Sequence, residues 1–259
     1  MDPLHVIQSY RRLRALCSHH QAAAMSYVAD GTLMNHARMI GVAIEDEVLV
    51  GEEDPEMKLV HDLALYTAKR GRSRAIDRYA RAVRCEGGSD DARVLDALRN
   101  SRFGLFQIER RHEVAGVVLT DMVREHEVWL MDEDIPYHGE HGQCFGARVC
   151  WPDEFAIVCQ VVVPMDQETF EDTLLELGSK RWRDDVPRMV EDATFATSLY
   201  RVAVDSGMMS LIADDDECSA CRRAQIVQRL ADERVELLGI RSAGRSLSSL
   251  CTHGGNSRS

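Results

Sequence analysis

The chain has 259 residues, of which 45% are hydrophobic and 29% charged. That balance excludes wholesale disorder and fibrous classes, and the length suffices for a core that needs no staples. With 31 basic against 43 acidic residues the net charge is −12, which on average repels a nucleic-acid backbone.

Asp2-Pro3 reads as an N-cap followed by proline at the first helical position. Leu4, Ile7, Tyr10, Leu13 and Leu16 continue at helical spacing. Gly31 interrupts, and Thr32–Ile40 resumes as helix. Residues 45–56 hold seven acids and read as a solvated loop. Asp54-Pro55 repeats the cap signal, and Met57, Val60, Leu63, Ala64 and Leu65 form the apolar side of a helix that Gly71 ends. Ser73 can cap a helix over Arg74–Arg84, and Ser89 or Asp90 one over Ala92–Asn100.

At Phe103 the period changes. Phe103–Glu109, Val114–Thr120, Val128–Met131, Cys144–Trp151 and Phe155–Val163 are rich in β-branched and aromatic residues and are separated by turn residues. Five short strands in about 60 residues predict a small antiparallel barrel-like sheet that Pro164 ends. Helical period returns over Asp166–Leu177, Val186–Val204 and Glu217–Ile240. The expected class is therefore α+β, with a helical region 1–100, a five-stranded barrel 101–165, a helical region 166–241 and a flexible tail 242–259.

No run of about 18 apolar residues predicts a membrane span. The N-terminus lacks the basic and apolar regions of a signal peptide, so the expected compartment is the cytoplasm, with the eight cysteines reduced.

Three groupings carry metal chemistry on paper. His36, the pair His61-Asp62 and a later aspartate (Asp77 or Asp96) resemble the HD-type metal phosphohydrolases, which collect imidazoles and carboxylates in a helical bundle to activate water. His138, His141 and Cys144 lie in a Gly-rich loop, and Cys218 and Cys221 form a Cys-x-x-Cys; imidazole and thiolate suit zinc. The bland alternatives for the first two are a surface His-Asp pair and a polar loop; the Cys-x-x-Cys could also be redox-active, though the usual thioredoxin-like setting is missing. No nucleophile elbow, phosphate loop or dinucleotide fingerprint is present.

The charge surplus lies after residue 100, because residues 1–100 carry 14 basic and 15 acidic groups. Seven bases fall between Lys69 and Arg84. Arg70, Arg74, Arg78 and Arg81 share one face if the helix runs on past Gly71, and would suit a phosphate or an acidic partner. The plainer reading is a solvated face, or one neutralised by the acid run.

Ser101-Arg102-Phe103-Gly104-Leu105-Phe106, Gly116–Met122, Val128–Asp132 and Gly146–Val149 together resemble the small β-barrel of a group of uncharacterised bacterial proteins, some carrying SEC-C-type tails. The tight Cys-x-Cys and Cys-His pair of that tail is absent, so the resemblance implies a fold and no activity. The sequence reading is a cytoplasmic, non-enzymatic protein with a regulatory or protein-interaction role and no cofactor. The alternatives are the HD-type hydrolase, zinc binding, and nucleic-acid or acidic-partner binding through Arg70–Arg84.

Overall fold

The computed structural model describes residues 2–42, 44–45, 48–49, 55–68, 71–132, 141–178 and 186–209. The first half is helical: α1 (Pro3–Ala24), a 3-10 turn (Met25–Tyr27), α2 (Thr32–Ile40), α3 (Pro55–Tyr66), α4 (Ala75–Ala82) and α5 (Asp90–Arg99). Asp2 caps α1 through Leu4 N (3.1 Å), and Ser89 caps α5 through Ala92 N (3.2 Å). Between α2 and α3 a two-rung hairpin, β1 (Ile44–Glu45) and β2 (Val48–Leu49), stands in part of the stretch expected as loop.

Five strands follow: β3 (Arg102–Arg111), β4 (Val117–Asp121), β5 (His126–Leu130), β6 (Cys144–Cys150) and β7 (Ile157–Met165). They pair antiparallel in the order β5-β4-β3-β6-β7. The expected barrel does not close. The edge strands meet at one parallel bridge, Leu130 against Ala156, supported by the bond from Met131 N to Ala156 O (3.0 Å). Pro164 does not end the sheet either. It sits in β7 opposite Phe145, on an edge strand, where a missing N–H costs nothing.

Alternation in the strands supplies two apolar faces. Phe106, Ile108, Leu119, Leu130, Phe145, Ala147 and Val158 form a core within the sheet's own curve. The other face is covered by helices from both ends of the chain. Toward one end Phe103, Leu105 and Val163 meet α2, α3 and the C-terminal helices. Toward the other Cys150, Ile157 and Cys159 meet α1, α4 and α5. Helices from both ends of the chain thus share cores on one sheet.

The C-terminal helices are α6 (Gln167–Leu177), α7 (Val186–Glu191) and α8 (Ala193–Asp205). A single helix was expected over Val186–Val204. The break comes at Asp192, whose carboxylate accepts from Thr194 N (2.9 Å) and Thr194 Oγ1 (2.7 Å) and so starts a new helix. The predicted helix 217–240 and the tail lie outside the described residues. Among the described residues no helix is long and apolar enough to cross a membrane.

Candidate functional site

Asp62 and Tyr66 are four residues apart on α3, so their side chains share a face. That face abuts the covered side of the sheet where β6 and β7 lose register. Ala147 pairs with Val162 and Val149 with Val158, so Arg148 alone stands opposite Cys159–Val161. The bulge frees backbone carbonyls that α1 collects. Gln21 Nε2 donates to Cys159 O (2.8 Å), and the Arg14 guanidinium bonds Val158 O.

Arg148 projects from this bulge into the core. Its Nε donates to Asp62 Oδ1 at 2.8 Å, and Tyr200 of α8 donates its hydroxyl to Asp62 Oδ2 at 3.0 Å. The guanidinium carbon lies 4.7 Å from the Tyr66 ring centre and 5.9 Å from that of Phe103. Gln21 Nε2 also donates to the Tyr66 hydroxyl (3.0 Å), which fixes the ring. Asp62 has no exposed surface, and the Arg148 side chain is 9% exposed. Burial acts to lower the Arg148 pKa, but the Asp62 carboxylate outweighs it and raises it further, so the cation is permanent. Burial, and then the charge of Asp62, push the Tyr200 hydroxyl well above its usual range.

One edge of Arg148 is therefore spent. Among the described residues no acceptor bonds its two terminal nitrogens. Arg148 lines a cavity of about 300 Å³ whose wall also includes Tyr66, Arg74, Ser101, Arg102 and Phe103. Ser101 is 7% exposed, and its hydroxyl is buried without a partner. Two acids at the rim are engaged elsewhere: Glu191 with Arg124 (2.7 Å) and Asp192 in its capping bonds. A larger cleft of about 760 Å³ lies beside it, among α2, the end of α3, the start of α4 and the start of α8. The two cavities share Ala193 in their walls.

The structure disperses the predicted metal ligands. Asp62 is bound on both oxygens by Arg148 and Tyr200, beside a cation that repels a metal ion. His61, adjacent in sequence, points about 100° away around the helix and is half-buried. His36 on α2 has Nε2 3.5 Å from Thr67 Oγ1 and a buried, unpartnered Nδ1; burial lowers its pKa. Asp77 is held by Arg74 (2.8 Å), and Asp96 is exposed on α5. His141 Nδ1 contacts Glu109 O at 2.6 Å, while Cys144 donates to Gly142 O (3.6 Å) and has its thiol pushed up to about 12, first by burial and then by Glu109. Among the described residues no three His, Cys, Asp or Glu side chains gather as a metal requires. His138, Cys218 and Cys221 lie outside the described residues.

The arginine stripe is not one helical face. α3 stops at Tyr66, Gly71 turns the chain at φ +80°, a value that suits a residue without Cβ, and α4 begins only at Ala75. Arg74 grips Asp77 (2.8 and 2.9 Å) and Arg99 O (2.6 Å), and Arg78 bonds Ser73 O and Tyr27 O. Arg81 is exposed, and Arg70 lies outside the described residues.

Sequence reasoning grouped Asp62 with His36 and His61; in the structure it is bonded by Arg148 and Tyr200, which that reasoning did not single out. One signal was available. Arg148 is the lone charge in Cys144–Trp151, an otherwise apolar strand, and a charge there must be paired.

No curated protein and no solved structure matches the chain. The model of a family of unknown function, DUF7986, matches residues 5–209, a span that holds Asp62, Ser101, Arg148 and Tyr200 together with every helix and strand described above but the first residues of α1. The chain belongs to this family.

Proposed function

We propose that the protein is a non-catalytic regulatory protein whose Arg148 cavity binds a small oxyanion. The observation that carries this is a buried guanidinium whose terminal nitrogens meet no acceptor among the described residues, in the wall of a cavity beside Ser101, whose hydroxyl is buried without a partner. A planar guanidinium fork matches a carboxylate or phosphate with two parallel hydrogen bonds. Arg74 and Arg102 stand in the same wall, Arg74 paired with Asp77, together with Glu191 and Asp192. The chemistry is that of recognition. Arginine keeps its proton at all working pH values and serves neither as general acid nor as base. Asp62, the carboxylate nearest the cation, is sealed from the cavity by its two hydrogen bonds.

The test is calorimetric titration of the whole chain with inorganic phosphate at matched ionic strength, against chloride. Single-site, saturable binding is expected, weakened several-fold by Ser101→Ala. It should be abolished in the triple variant Asp62→Leu, Arg148→Met, Tyr200→Phe, which removes the buried polar set as a unit and so preserves the fold. Absence of binding, or binding unchanged in the triple variant, overturns the proposal.

A further inference from the structure

We infer that the ligand is a monocarboxylic acid with a compact apolar body of about benzoate size, held whole in the Arg148 cavity. The inference rests on the oxyanion reading of Arg148 and adds which oxyanion it is and what carries it.

Size is the first argument. The cavity of about 300 Å³ stands at the lower end of the range that encloses a small molecule. It is far larger than a bare oxyanion needs: a water molecule takes a share of about 30 Å³ in the liquid, and an apolar cavity of about 150 Å³ accepts a benzene ring. One ring with one carboxylate therefore fits, whereas acetate or inorganic phosphate would leave most of the space to water.

The charges around the cavity are the second argument. Asp62 balances Arg148 (2.8 Å), Asp77 balances Arg74 (2.8 Å), and Arg124 balances Glu191 (2.7 Å). Arg102 and Asp192 remain in the wall, one of each sign. Surroundings without a surplus of positive charge suit an anion that carries one negative charge. Asp62, the carboxylate behind Arg148, repels a dianion twice as strongly as a monoanion. A carboxylate carries one charge above a pH of about 5, whereas a phosphate ester approaches two at a pH of about 8. A guanidinium fork meets the two carboxylate oxygens with parallel hydrogen bonds.

The wall chemistry is the third argument. Tyr66, Phe103, Ala193 and Ala196 line the same cavity. The Arg148 guanidinium carbon is 4.7 Å from the Tyr66 ring centre and 5.9 Å from that of Phe103, so cation and aromatic surface are neighbours. A carboxylate attached directly to an apolar ring meets both at once. A body rich in hydroxyl groups would gain nothing from these side chains.

The experiment is titration calorimetry on the full chain at pH 8 and matched ionic strength, with acetate, inorganic phosphate, benzoate, phenyl phosphate and the uncharged benzamide. Benzoate should bind ten-fold or more tightly than acetate, inorganic phosphate and benzamide, and several-fold more tightly than phenyl phosphate. Ala193→Trp, which narrows the cavity from an exposed position, should cut the preference for benzoate over acetate to under two-fold. The triple variant Asp62→Leu, Arg148→Met, Tyr200→Phe should abolish benzoate binding. Equal affinity for acetate and benzoate, phenyl phosphate as the tighter ligand, or a preference that survives Ala193→Trp overturns the inference while leaving the oxyanion site standing. Benzamide as tight as benzoate, or benzoate binding that survives the triple variant, also overturns it. If no anion binds, the oxyanion reading fails with it.

Discussion

Replacing Asp62 by Asn should be among the most destabilising conservative changes in this protein. The substitution preserves shape and leaves an acceptor within reach of Arg148 Nε, but it removes the only carboxylate among the described residues that is bonded to a guanidinium 9% exposed. Removing one partner of a buried pair costs about 3–5 kcal/mol, because the surviving charge is left uncompensated. For chains of this size about 1 kcal/mol shifts the melting temperature by roughly 2–4 °C, so Asp62→Asn should lower it by roughly 6–20 °C in a thermal unfolding experiment followed by circular dichroism. The companion variant removes the set entirely. With Asp62→Leu and Arg148→Met alone, the Tyr200 hydroxyl would be orphaned in the core at a cost of about 1–3 kcal/mol, so Tyr200→Phe is added. The triple variant should melt within a few degrees of wild type. A loss under about 1 kcal/mol for Asp62→Asn, or a triple variant as damaged as the single one, would refute the claim that uncompensated charge sets the cost.

Three further outcomes follow from particular contacts. Gly116 has φ +74°, and a Cβ there would lie 2.2 Å from Leu130 O, so Gly116→Ala should cost over about 2 kcal/mol by urea denaturation. At Gly146 the nearest obstacle is the flexible end of Leu199 (2.5 Å), so Gly146→Ala should cost less, about 1–3 kcal/mol; the reverse ranking would contradict the geometry. His20 is 2% exposed with Nδ1 on the Tyr79 hydroxyl (2.8 Å), and its Nε2 lies 3.4 Å from Asp91 without the alignment of a hydrogen bond. Burial lowers its pKa against the opposing pull of Asp91. A His held neutral in the fold stabilises above its unfolded value of about 6.5, and that stability is lost as pH falls through the folded pKa. The urea midpoint should thus drop between pH 7.5 and pH 5, and His20→Gln should flatten the drop; an unchanged slope would remove His20 from the account. Finally, a Cys144 thiol pushed up to about 12 stays protonated at pH 8, so iodoacetamide followed by peptide mapping should label half-buried Cys85 well before Cys144. Equal labelling in the native fold would contradict that.

Local signals in the sequence were sufficient wherever the determinant is local. Asp2-Pro3 and Ser89 begin helices because a capping side chain or a fixed φ acts within one turn, and a helix starts at Pro55 for the second of these reasons. The five strands were legible from β-branched runs between turn residues. The signals failed where a long-range contact decides. Pro164 reads as a terminator until β7 is known to be an edge strand. Residues 186–204 keep a helical period across Asp192, and only the capping geometry shows two helices. The barrel failed on closure, which depends on how two edge strands, more than 25 residues apart, approach each other. For the site, Asp62 stood out beside His61, yet the side chain that claims it lies 86 residues away on β6. Dipeptide reasoning weighs neighbours in sequence, and α3 turns successive residues onto different faces.

Asp62 also serves two requirements that oppose each other. It makes a buried guanidinium tolerable, and a buried ion pair is otherwise weak support for a fold, since apolar residues of similar volume do as well. The same carboxylate repels any anion that approaches the outer edge of Arg148. At an effective dielectric of about 20, a unit charge roughly 7 Å away contributes on the order of 2 kcal/mol of repulsion. Fold stability and anion affinity should therefore move in opposite directions in Asp62→Asn: the melting temperature falls as worked out above, while phosphate binds about ten-fold more tightly or better, measured by calorimetry at a temperature where the variant is folded. An arginine whose only role is to brace α3 against β6 would give the first effect without the second. Loss of both stability and affinity would mean that Asp62 orients Arg148 for the anion more than it repels it, and the electrostatic account of the cavity would have to be abandoned.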